Sequence, residues 1–395
     1  MRLHSLDAIR GVAILGILIM NIPYHVNMLV GYAHFAPPLL TDQIVSFLQL
    51  IFADGRFRTL FSILFGAGLA IQYGHCEKNK YNPSLFIKTR LNWLLLFGAL
   101  HALFIFGGDI LMYYAICGMI ARKYLMNDNA ALMTKARNFL LIGGVVILVM
   151  FAAMLVFSSP DDLMIRGSDN YQEQLSVWRS GYIIQMLAQG GVALAFLVFA
   201  CIVMIWQTLG LMLLGVYLFR SGFFINGFSP QLFRKIIIAG IVSTLLAMQP
   251  LILQSIYMEE FAVMLSSISA IFVALVYAHL LVKCQQKENW LFSTLRNCGR
   301  MAFSLYLLQS ICMAILFRAI MPQVNPGFEE TMTRTDLLFI VVVFTAIQML
   351  LANVVMNKFG QGPFEKLWRY CYLRSFYKKA EKAALSAIEK PTTVQ

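Results

Sequence analysis

The chain has 395 residues, of which 59% are hydrophobic and only 13% charged, and its mean hydropathy is +0.72. A water-soluble domain has no use for that much apolar surface, so the balance excludes a soluble enzyme and marks a polytopic membrane protein. The net charge of +12 falls in short clusters between apolar runs rather than on one patch, which argues against a nucleic-acid partner.

A membrane span needs about 20 apolar residues. Ten segments qualify, at roughly 9–29, 57–74, 90–107, 109–126, 138–157, 193–218, 235–256, 261–282, 300–320 and 336–356. The first carries Arg2 and Arg10 ahead of its apolar core, but "GYAHFA" is a poor cleavage site, so it reads as an uncleaved helix. After it, "DQIVSFLQLIFA" (42–53) places Ile44, Phe47, Leu48, Ile51 and Phe52 on one face. That predicts an amphipathic helix on the outer membrane surface, with Thr41 as its cap. Between the third and fourth spans "GGD" (107–109) leaves room only for a tight hairpin. Residues 158–190 form the largest outer loop, polar and net acidic.

The tail follows the last span. From Gly362 it sets Phe364, Leu367, Trp368, Cys371 and Tyr372 beside Lys366, Arg369 and Arg374, a basic amphipathic pattern expected to lie on the inner leaflet. The organisation read from these segments is one membrane domain over 1–356, an interfacial tail over 357–380 and a disordered end over 381–395.

Placing the amino terminus in the cytoplasm tests the span count. Of the 31 Lys and Arg, only Arg56, Arg58, Arg166, Arg179, Arg318 and Arg334 then fall outside. Such a skew fits an N-in, C-in all-α bundle of about ten transmembrane helices in a bacterial inner membrane. The seven cysteines lie in spans, inner loops or tail. They form neither a disulfide framework nor a zinc pair, so no metal is expected.

The informative residues are the polar ones in or beside apolar spans, where each is costly unless paired or hydrated. Asp7 and Arg10 share a helix face. Asn21 lies eleven residues beyond Arg10, about 16 Å along the same face, with His25 one turn further. The third span repeats this geometry, with Arg90 at its inner end, His101 eleven residues deeper and Asp109 just past the hairpin. An inner cation with a polar group about 16 Å further along suits a long, phosphate-bearing ligand. Arg56 and Arg58, at the outer end of the second span, either bind an anion or snorkel to lipid phosphates. Gly66 and Gly68 permit close helix packing. Gln207, Ser304 and Gln309 are expected to bridge helices, His279 to be structural, and His4, His34 and His75 to be solvated. Walker, dinucleotide, HExxH and GxSxG motifs are all missing, which excludes ATPase and soluble-type hydrolase chemistry.

"LDAIRGVAILGILIMNI", "RFRTLFSILFGAGL", "RLNWLLLFGALHALFIFGGDILMYYAICG", "GRMAFSLYLLQS" and "GPFEKLWR", in this order, resemble the YeiB-like family of bacterial inner-membrane proteins, which has no settled biochemical function. The first helix also resembles that of larger transmembrane acyltransferase families, in which acyl-CoA enters from the cytoplasm and the acyl group reaches a sugar on the far side. In the polysaccharide-acetylating members an arginine is followed by a histidine. Arg10 matches the arginine, but Asn21 stands where the histidine would be. That departure moves the expected base to His101, with His25 second.

The resulting expectation is an acyl-CoA-dependent transferase with an envelope glycan or lipid acceptor and no permanently bound cofactor. Arg10 and Arg90 hold CoA phosphates, His101 is the base, Asp109 orients it and Asn21 donates to the thioester carbonyl. Two other classes stand beside it. A transporter or flippase would use the same polar groups as its path, and a non-catalytic scaffold would use them only to fix packing.

Overall fold

In lipid every backbone N–H and C=O must be satisfied within its own segment or by a neighbour, so long apolar runs form helices. The structure, a computed structural model, describes residues 3–157, 164–252, 258–284 and 289–388, and among them there is no strand. The first helices are α1 (His4–Val26), α2 (Leu40–Phe52), α3 (Arg56–Lys78), α4 (Pro83–Phe104), α5 (Leu111–Ala121) and α6 (Asn129–Phe157). Next come α7 (Asp169–Trp178), α8 (Tyr182–Phe199), α9 (Ile205–Arg220), the single turn α10 (Phe223–Asn226), α11 (Pro230–Ile252) and α12 (Met258–Cys284). The last are α13 (Trp290–Arg300), α14 (Ala302–Ile315), the short α15 (Met321–Val324) and α16 (Phe328–Thr331), α17 (Arg334–Phe359) and α18 (Pro363–Ile388). π-turns at Ala200–Met204 and Leu316–Ile320 join α8 to α9 and α14 to α15.

Among the described residues seven helical stretches are long and apolar enough to cross a membrane, fewer than the ten expected. The three expected spans left out are 57–74, 90–107 and 109–126. Their helices α3 and α4 have the length but are interrupted by Arg58, Gln72, Arg90, Asn92 and His101, while α5 has only 11 residues. α3 buries Leu60, Ile63, Leu64 and Ala67, and α4 buries Phe86, Ile87 and Leu91 but leaves Leu96, Leu100, Leu103 and Phe104 exposed on its other face. Polar residues on the buried faces need not meet lipid.

Two crossings set the centre. α1 meets α13 at Gly11 and Gly299, where an added Cβ would lie 2.0 Å from the Leu295 carbonyl oxygen and 1.8 Å from that of Asp7. α3 meets α9 at Gly66 and Gly215, where a Cβ would lie 1.8 Å from the Met212 oxygen and 1.9 Å from that of Ile63. With no hydrophobic drive between helices in lipid, such backbone contact supplies the packing. Gly68 is different, since its Cβ would meet only the Gln72 side chain at 4.0 Å.

Polar bridges lock the bundle. Gln309 donates to the Ile14 carbonyl (3.0 Å) and to Gln348 (3.1 Å), Gln348 donates to the Leu305 carbonyl (3.2 Å), and Gln207 donates to the Ser267 carbonyl (2.7 Å). His279 accepts the Phe228 N–H (3.0 Å) and stacks on Phe233.

Several surface expectations change. α2 begins at Leu40 with Leu39 as its cap residue, so Thr41 is not the cap. The predicted apolar stripe is otherwise open, with Ile44, Phe47, Leu48 and Phe52 exposed. His34 is not solvated: its backbone bonds to Met164 and Arg166, and its ring faces Glu259 at 3.9 Å. The tail helix uses an apolar face on protein rather than on lipid. Tyr372 and Phe376 are buried against Phe86, with ring centroids 5.7 and 5.1 Å apart, and Trp93 donates to Ser375 (2.8 Å). Leu367 is exposed. The helix also runs to Ile388, past the expected end at 380; residues 389–395 lie outside the described residues.

Candidate functional site

At the proximal end of the bundle, where α1 begins, six helices and the start of the tail leave a cavity of about 250 Å³. α1 lines it with Arg10, Ile14 and Ile17, a spacing that keeps one face inward. α3 contributes a strip from Phe61 to Gln72, about 16 Å of helical rise. Arg90, Leu91 and Leu94 come from α4, and Ile110, Leu111 and Tyr114 from α5. The end of α13 adds Arg300, α14 adds Phe303 and Tyr306, and α18 adds Glu365 and Trp368. The cavity therefore has apolar walls with three guanidinium groups and a carboxylate among them.

The cations differ in what they touch. Arg10 lies 3.4 Å from Asp7, which is buried at the α1–α13 crossing. Arg300 donates to the Gly360 carbonyl (2.8 Å). The Arg90 guanidinium lies under the Trp368 ring at 4.3 Å and near the Tyr372 ring at 5.6 Å. Glu365 turns its carboxylate to the start of α14. It accepts the Phe303 and Ser304 N–H groups (2.8 and 3.0 Å) and the Ser304 hydroxyl, closing the N-terminus of α14. The side-chain Oε1 of Gln72 is buried without a hydrogen-bonding partner among the described residues.

Behind the deep wall sits a second constellation. The "GGD" hairpin brings Asp109 back onto α4, and the His101 Nδ1 lies 2.8 Å from Asp109 Oδ1. Asp109 Oδ2 accepts the Met112 N–H (2.9 Å), and the Tyr306 hydroxyl reaches Oδ1 at 3.4 Å. Gly98 makes this possible, because a Cβ there would lie 2.8 Å from the carboxylate and 2.5 Å from the Met112 nitrogen. A carboxylate fixed this way holds the imidazole with Nδ1–H donating, so Nε2 carries the lone pair. That Nε2 is buried and has no partner among the described residues. His25 is near, stacked on Phe106 at 4.0 Å, and its Nδ1 is also unpartnered.

The end of α4 is tied down around this pair. Gln189, Tyr182 and Arg318 donate to the carbonyls of Leu103, Phe104 and Ile105. Side chains that cap the last carbonyls of a helix fix its C-terminus, and a cation there also suits the helix dipole. The π-turn at Leu316–Ile320 includes Arg318, which also bonds Gln189 Oε1 at 2.8 Å.

The predicted residues thus fall into separate groups. Arg10 and Arg90 line the cavity, while His101 and Asp109 stand behind its wall. Asn21 lies one turn beyond Ile17 and outside the lining. Arg56 and Arg58 are elsewhere: Arg56 is fully buried on Asp54 and Ser269, and Arg58 reaches Met204. Ser304 and Gln309 serve packing and capping. Sequence reasoning missed Gln72, Arg300, Tyr306, Glu365 and Trp368, although two of the quoted motifs, "GRMAFSLY" and "GPFEKLW", contain all but Gln72. No group of three or more His, Cys, Asp or Glu converges as a metal site among the described residues.

Residues 218–375 match the family model described as Protein of unknown function (DUF418). The chain is 29% identical to the uncharacterized protein YeiB of Escherichia coli (strain K12), over 94% of this chain and 96% of that one. It is 26% identical to the uncharacterized protein YxaH of Bacillus subtilis (strain 168), over 96% of each. An uncharacterized 39.9 kDa protein encoded beside an amylase gene of Bacillus acidopullulyticus is 31% identical over 30% of this chain and 33% of its own. No solved structure matches. The chain is thus similar over nearly its whole length to YeiB and YxaH, and residues 218–375 match a family of unknown function.

Proposed function

We propose that this protein is a membrane-embedded acyltransferase that takes an acyl group from cytoplasmic acyl-CoA and delivers it to an envelope glycan or lipid. The observation carrying this reading is the pairing of a guanidinium-lined cavity with a buried His101–Asp109 dyad behind the cavity wall. Arg10, Arg90 and Arg300 suit the phosphates of the donor, because guanidinium groups recognise phosphate oxygens in a charge-assisted way. The apolar walls suit the arm that bears the thioester. His101 Nε2 takes the proton of the acceptor hydroxyl as its oxygen attacks the thioester carbonyl, and the departing CoA thiolate takes a proton in turn. Asp109 orients the ring and stabilises the imidazolium, and Tyr306 is the polar group that joins the pair to the cavity. His25 and Asn21 lie on the acceptor side.

In this reading the proximal end faces the cytoplasm, the bundle is N-in and C-in in the bacterial inner membrane, and α3, α4 and α5 complete a set of about ten spans. Purified protein in detergent provides the test. Coenzyme A binds, acetyl-CoA labels an acceptor, and His101→Ala lowers transfer about 10²–10⁴-fold with binding retained. Transfer undiminished in His101→Ala removes the mechanism. Solute uptake by proteoliposomes without acyl-CoA replaces it with transport.

A further inference from the structure

The cavity is small for a nucleotide-bearing ligand. Its volume of about 250 Å³ is below the roughly 300–1,000 Å³ of ordinary ligand pockets. Part of its wall is not a span at all but the first turns of α18, through Glu365 and Trp368. Trp368 lies on the face of Arg90 at 4.3 Å, packs on Phe303 at 5.7 Å and donates to the Arg90 carbonyl at 3.4 Å. The electrostatic neighbours of Arg90 are Tyr372, which also hydrogen-bonds it, and the like charges Arg10 and Arg369. An aromatic face satisfies a guanidinium only weakly compared with a phosphate.

The start and the middle of α18 are held by different contacts. Tyr372 and Phe376, in the middle, are buried on α4. The first turns rest on the polar contacts of Glu365 and of the Phe364 N–H (to Ser304 Oγ, 3.0 Å) with α14 and on Trp368, and they follow Gly360, at φ +70°, and Gly362, which lies against Ser304 and Glu365.

We propose that the start of the tail helix is an internal competitor for the Arg90 site: Trp368 covers the guanidinium that a polyphosphate ligand uses, and binding displaces the turns around Glu365 and Trp368 while Tyr372 and Phe376 stay docked. This rests on the reading of Arg10, Arg90 and Arg300 as a phosphate site. The closed tail lowers the population of binding-competent molecules, and weakening it removes that penalty.

The experiment measures binding of coenzyme A, ATP and inorganic pyrophosphate to the full chain in detergent, with hydrogen exchange over residues 360–376. Trp368→Ala binds a polyphosphate about tenfold more tightly than wild type, the shift expected when a mostly closed state is opened. Glu365→Gln loosens the same turns from the α14 side without removing the cover residue, and shifts affinity the same way. Trp368→Phe, which keeps an aromatic face, stays near wild type, and Arg90→Ala binds nothing. Ligand raises exchange at 363–369 but not at 372–376. Weaker binding in folded Trp368→Ala overturns the inference, because Trp368 would then belong to the ligand site. Absence of polyphosphate binding in every folded variant overturns it as well. Tighter binding of ATP or pyrophosphate with none of coenzyme A keeps the tail as competitor and removes acyl-CoA as the donor.

Discussion

At the distal end of the bundle Arg166 donates to the carbonyls of Ala33, Glu329 and Met332 and stacks on Phe35, whereas at the proximal end Arg90 meets the faces of Trp368 and Tyr372 beside open space. The distal neighbours are equally occupied. Arg334 bonds Glu259 and Gln49, Arg179 bonds Glu329, and Trp178 donates to the Val26 carbonyl. An arginine with its N–H groups on carbonyls and carboxylates is a fastener for irregular backbone. Arg90, covered by aromatic rings at a cavity edge and hydrogen-bonded to Tyr372, keeps further N–H donors for a ligand. The same residue type thus separates structure from function by the partners it has already found.

The largest test of that contrast is a pair of substitutions. Arg166→Ala leaves three carbonyls without their donor and is expected to cost about 3 kcal/mol of stability, read by thermal unfolding in detergent. Arg90→Ala is expected to cost about 1 kcal/mol, the scale of a cation–π contact, while removing polyphosphate binding. Equal destabilisation by both would erase the distinction and make Arg90 a fastener too.

A smaller effect separates the two glycines of α3. Gly66→Ala forces a Cβ against the Met212 backbone and is expected to lower stability by about 2 kcal/mol. Gly68→Leu points into the cavity with only Gln72 near, so the fold survives and ligand binding falls. Should Gly68→Leu leave binding of coenzyme A unchanged, the cavity is not the ligand site.

The smallest effect concerns pH at the distal end. Burial pushes the His34 imidazole below its ordinary value of 6.5, against the opposing pull of Glu259 and Asp42 and with the help of Arg334 and Arg166. The neutral ring is therefore favoured in the folded state. Its contribution is fully present above pH 6.5 and is lost as pH falls from there through the lowered value. His34→Gln should flatten the acid side of the stability profile by under about 1 kcal/mol and leave the alkaline side alone. A profile unchanged by the substitution would show that the distal end does not sense pH through this residue.

Much of the site was legible where the signal is local. His101 and Asp109 are only eight residues apart, and a "GGD" turn can fold one back on the other, so the pair follows from a hairpin that the spacing already demands. Arg10 and Asn21 do share a helix face, as 3.6-residue periodicity requires. That face reaches the cavity only as far as Ile17, because where a cavity ends depends on the neighbouring helices. For the same reason the sequence carries no sign of Tyr306 at the site and shows Trp368 only as part of the tail's apolar face: their partners Asp109 and Arg90 lie 197 and 278 residues away in the chain.

What the sequence determined by itself was the solvent. Its apolar runs dictate helices long enough to cross a membrane. It also determined the short-range chemistry: the Asp7–Arg10 pair, the His101–Asp109 hairpin and the glycines whose missing Cβ lets backbones touch. The tertiary structure alone decided which of the arginines are fasteners and which face space, and that the tail's apolar face covers Arg90 rather than lipid. Helical periodicity fixes where a side chain points on its own cylinder, but what it meets there is set by another helix from a distant part of the chain.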